Sequence, residues 1–208
     1  MINLSRMRQL ADSVHQRWLG LFSRLLFFKA YLLNNVRTGH KMQVYGIPII
    51  RSPLGEIVIG DNVILVSSSW RASAAGLSGP VRLRTFFASA KIIIENDVGM
   101  NGGSLTARSG TIRIGRGTMI GPDCIIMDSD FHRAWPPDLR SVYTGIEADE
   151  NVTIGSCVWL GARCIILKGV TIGENTVIAA GSVVTTDIPP NCLAAGVPAV
   201  VKRRFLAT

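Results

Sequence analysis

Histidine is scarce in this 208-residue chain: His15, His40 and His132 are all it has. Cysteine is nearly as rare, with Cys124, Cys157, Cys164 and Cys192, and no pair has the C-x-x-C spacing of a zinc ribbon or a redox dithiol. That usage points to a reducing compartment, the cytosol. Aromatics make up only 7% and are not interleaved with the basic residues in a stacking motif, which argues against a nucleic-acid reader. A long apolar run is also missing. Arg24 and Lys29 interrupt the best candidate, whereas a membrane span needs about 20 apolar residues. No short apolar stretch precedes a small-residue cleavage site, so no signal peptide is read. Charged residues are few (17%), but 48% hydrophobic content excludes a disordered chain.

What the chain has is glycine (21 residues), aliphatic side chains and an uneven positive charge. Residues 1–41 carry Arg6, Arg8, Arg17, Arg24, Lys29, Arg37 and Lys41 against Asp12 alone, most of the net +8. Leu4, Met7, Ala11, Val14, Trp18, Leu21, Leu25, Phe28 and Leu32 recur three or four apart, the stripe of an amphipathic helix. Asn3 would cap it, and Asn34-Asn35 would end it. Such a helix packs on the body or a neighbouring subunit, or rests on an anionic membrane face as a peripheral contact through residues 1–34. The segmentation read from these patterns is a basic helical segment at 1–45, a repeat body at 46–190 and a basic tail at 191–208.

From its middle onward the sequence counts in sixes. Ile154, Leu160, Ile166, Ile172, Ile178 and Val184 are evenly spaced. The next position is mostly small (Gly155, Gly161, Gly173, Ala179), and the fourth is small or β-branched (Val158, Cys164, Val170, Thr176, Ser182, Ile188). The frame reappears as Ile114-Gly115 with Thr118, as Ile120-Gly121 with Cys124, and as Ile126. It is weaker at Ile59-Gly60 with Val63, at Ile94 with Val98 and at Met100 with Ser104. A period of six suits neither a helix nor an alternating strand. It fits a three-sided coil with one aliphatic per side pointing inward, and glycines supplying unusual backbone angles near the corners. The expected fold is an all-β solenoid, a left-handed parallel β-helix with an N-terminal amphipathic α-helix. Cys124 and Cys164 fall in small core slots and read as filler.

Interruptions of a solenoid form loops on a working face. One lies near 67–90 and holds Trp70, Arg71 and Arg84. The other begins at Met127 and extends over 133–147. At its root the frame calls for a small residue and an aliphatic, but the sequence supplies Asp130 and His132. His15 and His40 lie outside the repeat, so His132 is the candidate for proton transfer near neutral pH. Asp128 or Asp130 could orient its ring, bind an acceptor or cap a turn.

The stretches Val152-Thr-Ile-Gly-Ser-Cys-Val-Trp-Leu-Gly161, Lys168-Gly-Val-Thr-Ile-Gly173, Val177-Ile-Ala-Ala-Gly-Ser-Val-Val-Thr185, Asp187-Ile-Pro-Pro-Asn191 and Ala194-Ala-Gly-Val-Pro198 resemble the hexapeptide-repeat acyltransferases. The branch they most resemble is the maltose, galactoside, nodulation-factor and surface-polysaccharide O-acetyltransferases. The resemblance implies acetyl transfer from acetyl-CoA to a saccharide hydroxyl, without a metal, in a homotrimer whose sites lie between subunits. It implies His132 as the base. Asn101 matches a residue close to base and acceptor, although an asparagine at a corner also suits left-handed backbone. The amide of Ala162 matches an oxyanion donor. Trp159, Ala180 and Thr185 match positions along the pantetheine groove. Lys202 and Arg203 are placed to meet phosphates, while Asp128, Asp130 and Arg140 are candidates for acceptor binding. Val200, where relatives often carry a basic residue, and Arg133, where they often carry proline, depart from the pattern. The reading that follows is a cytoplasmic O-acetyltransferase, peripheral at the inner membrane face, acting on a cell-surface polysaccharide or its precursor. The alternatives are an N-acetyltransferase for an amino sugar or amine antibiotic, a metal-dependent carbonic anhydrase needing three convergent histidines, and a non-enzymatic scaffold.

Overall fold

The computed structural model describes residues 34–70, 76–141 and 148–205. The expected N-terminal helix, Arg71, residues 142–147 and the last three residues lie outside the described residues. The chain winds through six coils of three short strands. Coil 1 comprises β1 (Val36–Thr38), β2 (Gln43–Tyr45) and β3 (Ile49–Arg51), and coil 2 comprises β4 (Glu56–Ile59), β5 (Ile64–Val66) and β6 (Arg82–Thr85). Coil 3 holds β7 (Lys91–Ile94), β8 (Gly99–Asn101) and β9 (Ser104–Ala107), and coil 4 holds β10 (Thr111–Ile114), β11 (Met119–Ile120) and β12 (Ile125–Met127). After the second excursion come β13 (Val152–Ile154), β14 (Trp159–Leu160) and β15 (Ile165–Ile166), then β16 (Thr171–Ile172), β17 (Val177–Ile178) and β18 (Val183–Val184). The chain closes with β19 (Cys192–Gly196) and β20 (Ala199–Arg204).

The first, second and third strands of successive coils stack into three sheets, here A, B and C, of six, eight and six strands. All pairing is parallel except β19 with β20. Each sheet places like residue over like. In sheet A, Ile59, Ile94, Ile114, Ile154 and Ile172 share one inward row. In sheet B the row is Val44, Leu65, Met100, Ile120, Leu160, Ile178 and Ala194, and in sheet C it is Ile50, Leu83, Leu105, Ile126, Ile166 and Val184. All of these rows are buried. The result is an all-β solenoid that matches the expected β-helix. Cys124 and Cys164 are buried among these rows, and their thiols donate to the carbonyls of Gly161 and Ala179.

Three expectations are corrected. The coils begin at Val36 and continue through Gly196, so they are longer than the 46–190 body. The small inward residues Cys192 and Ala194 let β19 extend sheet B where a tail was expected. The first excursion ends at Val81, because Val81, Leu83 and Thr85 return to the core inside the supposed 67–90 loop. Ser104 does not occupy a core slot. The corner Gly102–Gly103, with φ of 57° and 74°, shortens that step to five residues and turns Leu105 inward instead.

The glycines also act for a different reason than expected. None of Gly60, Gly115, Gly121, Gly155, Gly161 and Gly173 has a left-handed φ; that conformation falls two residues later, at Asn62, Gly117, Asp123, Cys157, Arg163 and Asn175. The early glycines are required by contact. A Cβ on Gly161 would lie 2.5 Å from the amide nitrogen of Ala180, and one on Gly115 would lie 2.5 Å from the carbonyl carbon of Gly155. Gly161→Ala should therefore destabilise the chain by about 1–3 kcal/mol through overpacking. Gly181→Asn, at φ +73° with nothing within 4 Å of its Cβ, should shift stability by less than about 0.5 kcal/mol. Denaturant unfolding of both variants checks the contrast; the reverse order would mean that conformation, and not contact, selects the early glycines.

Candidate active site

The second excursion leaves sheet C at Met127 and rejoins sheet A at Val152. Its root is a buried polar knot. Asp128, fully buried, accepts hydrogen bonds from the amides of Arg108 (2.7 Å), Ser109 (3.2 Å) and Gly110 (2.8 Å) of the coil below. Asp149, at the returning end, receives the Arg108 guanidinium through Nε (2.8 Å) and Nη2 (2.5 Å) and the Ser109 hydroxyl at 2.6 Å. The two side chains of this ion pair are 4% and 2% exposed, so both charges are withdrawn from water. Burial pushes the Asp128 carboxyl above the usual carboxylate range, against its three amide donors. Burial also pushes Asp149 upward, but hydrogen bonds from Arg108, Ser109 and Ser129 and the charge of Arg108 outweigh it and hold that carboxyl below its ordinary value.

From this root the chain turns at Phe131, whose φ is 62°, with its amide bound to Ser129 Oγ at 2.8 Å. The Phe131 ring packs on Phe86 (centroids 5.8 Å apart) and under the Arg108 guanidinium. His132 follows on the exposed side. Its Nδ1 lies 2.9 Å from the backbone carbonyl of Arg140. A carbonyl only accepts, so Nδ1 carries the proton in the neutral ring and Nε2 presents a free lone pair. Arg140 also sends its guanidinium back to the carbonyl of Ala134 (2.9 Å), closing the segment 132–140 into a loop.

Neither candidate carboxylate orients the imidazole. Asp128 is committed to three amides inside the knot and has no surface for an acceptor; Asp130 pairs with Lys168 at 2.6 Å. The orienting group is the Arg140 carbonyl, which no side-chain motif announces. Arg140, expected at the acceptor, uses its guanidinium to hold the loop.

Seven of the candidates fall into two groups at opposite edges of sheet C. Asp130, His132, Arg140 and Thr185 lie on the edge where sheet C turns into sheet A. Asn101, Ala162 and Ala180 lie at the corner where sheet B turns into sheet C. Asn101 is half-buried and ends β8; the left-handed angles belong to Gly102 and Gly103, so the corner does not explain it. The stretch 76–80 of the first excursion sits over this corner, pinned by Ser78 to Asp123 through Oγ at 2.7 Å. The amide of Ala162 donates to no acceptor among the described residues, a feature it shares with Ala180 one coil on. Ala180 and Thr185 are exposed. On the outer face of sheet B, Met119, Trp159, Val177, Leu193 and Arg203 form one continuous row, with Met119 and Trp159 more than half exposed. Arg203 is three strand spacings from Trp159, about 14 Å. Lys202 lies beside it on the exposed last strand. No group of three or more His, Cys, Asp or Glu side chains among the described residues could hold a metal ion.

Residues 151–186 match the family model described as bacterial transferase hexapeptide (six repeats). The chain is 46% identical over 94 residues to a galactoside O-acetyltransferase of Lactococcus lactis, covering 45% of this chain and 44% of that one. Among solved structures it is similar to a galactoside acetyltransferase in complex with coenzyme A (TM-score 0.52, 24% identity, 92% of this chain and 82% of that one). It is likewise similar to an N-acyltransferase from Bacillus cereus in complex with dTDP and coenzyme A (TM-score 0.56, 19% identity, 85% and 87%). The chain thus spans less than half the length of that galactoside O-acetyltransferase. Residues 151–186 thus carry the hexapeptide repeat, and the sequence similarity of the chain is to acetyltransferases.

Arg108→Leu would leave Asp149 buried without its partner, and unfolding free energy should fall by about 3–5 kcal/mol. Asp149, with its depressed pKa, contributes stability that is present above the ordinary value near 4 and lost as pH falls through its folded value. Asp128, with its raised pKa, has the opposite sign: its ionisation costs stability as pH rises through its folded value. The acid loss due to Asp149 should disappear in Arg108→Leu. Denaturant midpoints measured from about pH 3 to pH 7 in both proteins decide it.

Proposed function

We propose that this chain is an acetyl-CoA-dependent O-acetyltransferase acting on a saccharide hydroxyl, of a cell-surface polysaccharide or its precursor. The observation that carries the reading is the His132–Arg140 hydrogen bond, which leaves Nε2 as a proton acceptor on an exposed loop at the second interruption of the repeat. Nε2 takes the acceptor's hydroxyl proton while the oxygen attacks the thioester carbonyl. The C–O bond forms, the C–S bond breaks, and the departing sulfur receives the proton from the imidazolium. No covalent enzyme intermediate is needed. The Ala162 amide, which meets no acceptor among the described residues, is suited to the developing oxyanion. The apolar row through Trp159 suits a pantetheine arm, and Arg203 with Lys202 at its end suits the nucleotide phosphates.

Within one chain the base and the Ala162 corner are separated by the width of sheet C. A working site thus requires a second copy to bring the sheet C–sheet A edge of one prism against the sheet B–sheet C corner of the next, and a closed homotrimer does this three times over. We place the enzyme in the cytoplasm, peripheral at the inner membrane face through residues 1–34. Transfer to an amine uses the same base and is the second reading, favoured by the likeness to the N-acyltransferase. Acceptor profiling with acetyl-CoA and free-thiol detection separates hydroxyl from amine acceptors.

His132→Ala should lower turnover by about 10²–10⁴-fold with acetyl-CoA binding and assembly mass unchanged. Turnover near that of the unmodified protein would remove His132 from the mechanism.

A further inference from the structure

The outer faces of the three sheets treat basic residues differently. On the described strands of sheet A every outward cation has a carboxylate: Arg37 and Lys91 share Glu56, and Arg113 meets Glu95 at 2.6 Å. On sheet C, Arg51, Arg82 and Arg84 point outward around the buried Ile50 and Leu83. Among the described residues none of the three has a carboxylate partner. Arg51 and Arg84 are register partners on adjacent strands, about 4.8 Å apart, and Arg82 follows on the same face about 7 Å along. Like charges directly opposite each other on a sheet are destabilising, and outward sheet C offers no acid to relieve them. Its other outward residues in those rows are Ile49, Ser104, Thr106, Ile125, Met127, Ile165 and Val183. The nearby Asp123 accepts from the Ser78 amide and hydroxyl and lines the same depression as Arg82, with which it forms no ion pair among the described residues.

The cluster is continuous with the proton acceptor. The Arg84 guanidinium lies 4.1 Å over the Phe86 ring, Phe86 packs against Phe131, and Phe131 directly precedes His132. Beside Arg82 the surface dips into a depression of about 230 Å³ lined by Gly79, Pro80, Ser104 and Ile125. An extended, flexible anion lying along sheet C would meet the three guanidinium groups and pass the base at its end.

We propose that Arg51, Arg82 and Arg84 form the binding track of an anionic saccharide acceptor, and that its negative groups supply the counter-charge the sheet lacks. The proposal rests on the saccharide transferase reading and specifies its substrate class. Guanidinium forks match carboxylate, sulfate and phosphate geometry, so the track selects charge first and sugar identity second.

The test is calorimetric titration of the full chain with a short oligogalacturonate and with an uncharged malto-oligosaccharide of equal length, at low and at physiological salt. The protein should bind the acidic oligomer, with affinity falling as salt rises. R51Q/R82Q/R84Q should weaken that binding by about tenfold or more and melt no lower than the unmodified protein, since a like-charge contact is removed. R37Q/R113Q, which deletes two paired arginines from sheet A, should leave it unchanged. Equal affinity for the two oligomers, an undiminished affinity in R51Q/R82Q/R84Q, or capture by phosphatidylglycerol vesicles with no oligogalacturonate binding would overturn the proposal. Acetyl-CoA titration of the same proteins keeps the two readings apart. Loss of the track with acetyl-CoA bound sinks only this proposal, whereas oligogalacturonate binding without any acetyl-CoA binding sinks the transferase reading.

Discussion

The stacking distance between coils is the constraint on which the rest depends. Parallel strands sit about 4.8 Å apart, and at the corners the backbone of one coil lies against the next so closely that a single methyl group at Gly115, Gly155 or Gly161 would strike main-chain atoms. That contact fixes the register, and the register sets each inward aliphatic over its counterpart. A prism this narrow has room for only one or two rows of branched side chains per face, which is why the core holds Ile, Leu and Val and scarcely any aromatic.

The excursion bearing His132 survives in this setting because its two ends are tied to the same place. Asp128 leaves the solenoid and Asp149 returns to it, and both are satisfied by the corner of coil 3, one by backbone amides and the other by a forked guanidinium. A buried ion pair of this kind adds little net stability over an apolar substitute, but it is costly to break. It defines where the loop begins and ends. The imidazole then takes its tautomer from a carbonyl eight residues along its own loop, so the chemistry of the ring depends on the closure of that loop.

Much of this architecture was legible in the residues. The six-residue spacing from Ile154 to Val184 dictates the three-sided coil, and the break at Asp130 and His132 marks the second excursion. What escaped was set by interactions between coils. Nothing in the order of residues shows that Gly161 is small because Ala180 lies against it, or that Arg108 reaches Asp149 across 41 positions. The orienting role of Arg140 is carried by its backbone, which every residue possesses, so no side-chain pattern could have indicated it. The five-residue step at Gly102–Gly103 displaced Ser104 from the core because two consecutive left-handed residues shorten a corner, a choice that spacing alone does not reveal.

The final hairpin has a consequence for solubility. A parallel solenoid ends in exposed backbone donors and acceptors, and another molecule could add to them end to end, as in a growing filament. Here β20 reverses direction and pairs antiparallel with β19, so the last edge of sheet B no longer offers a matching parallel template. Its outer strand carries Lys202, Arg203 and Arg204, and two approaching ends would meet with like charge. The strand that supplies cations to one end of the apolar row on sheet B is therefore also a stopper against polymerisation.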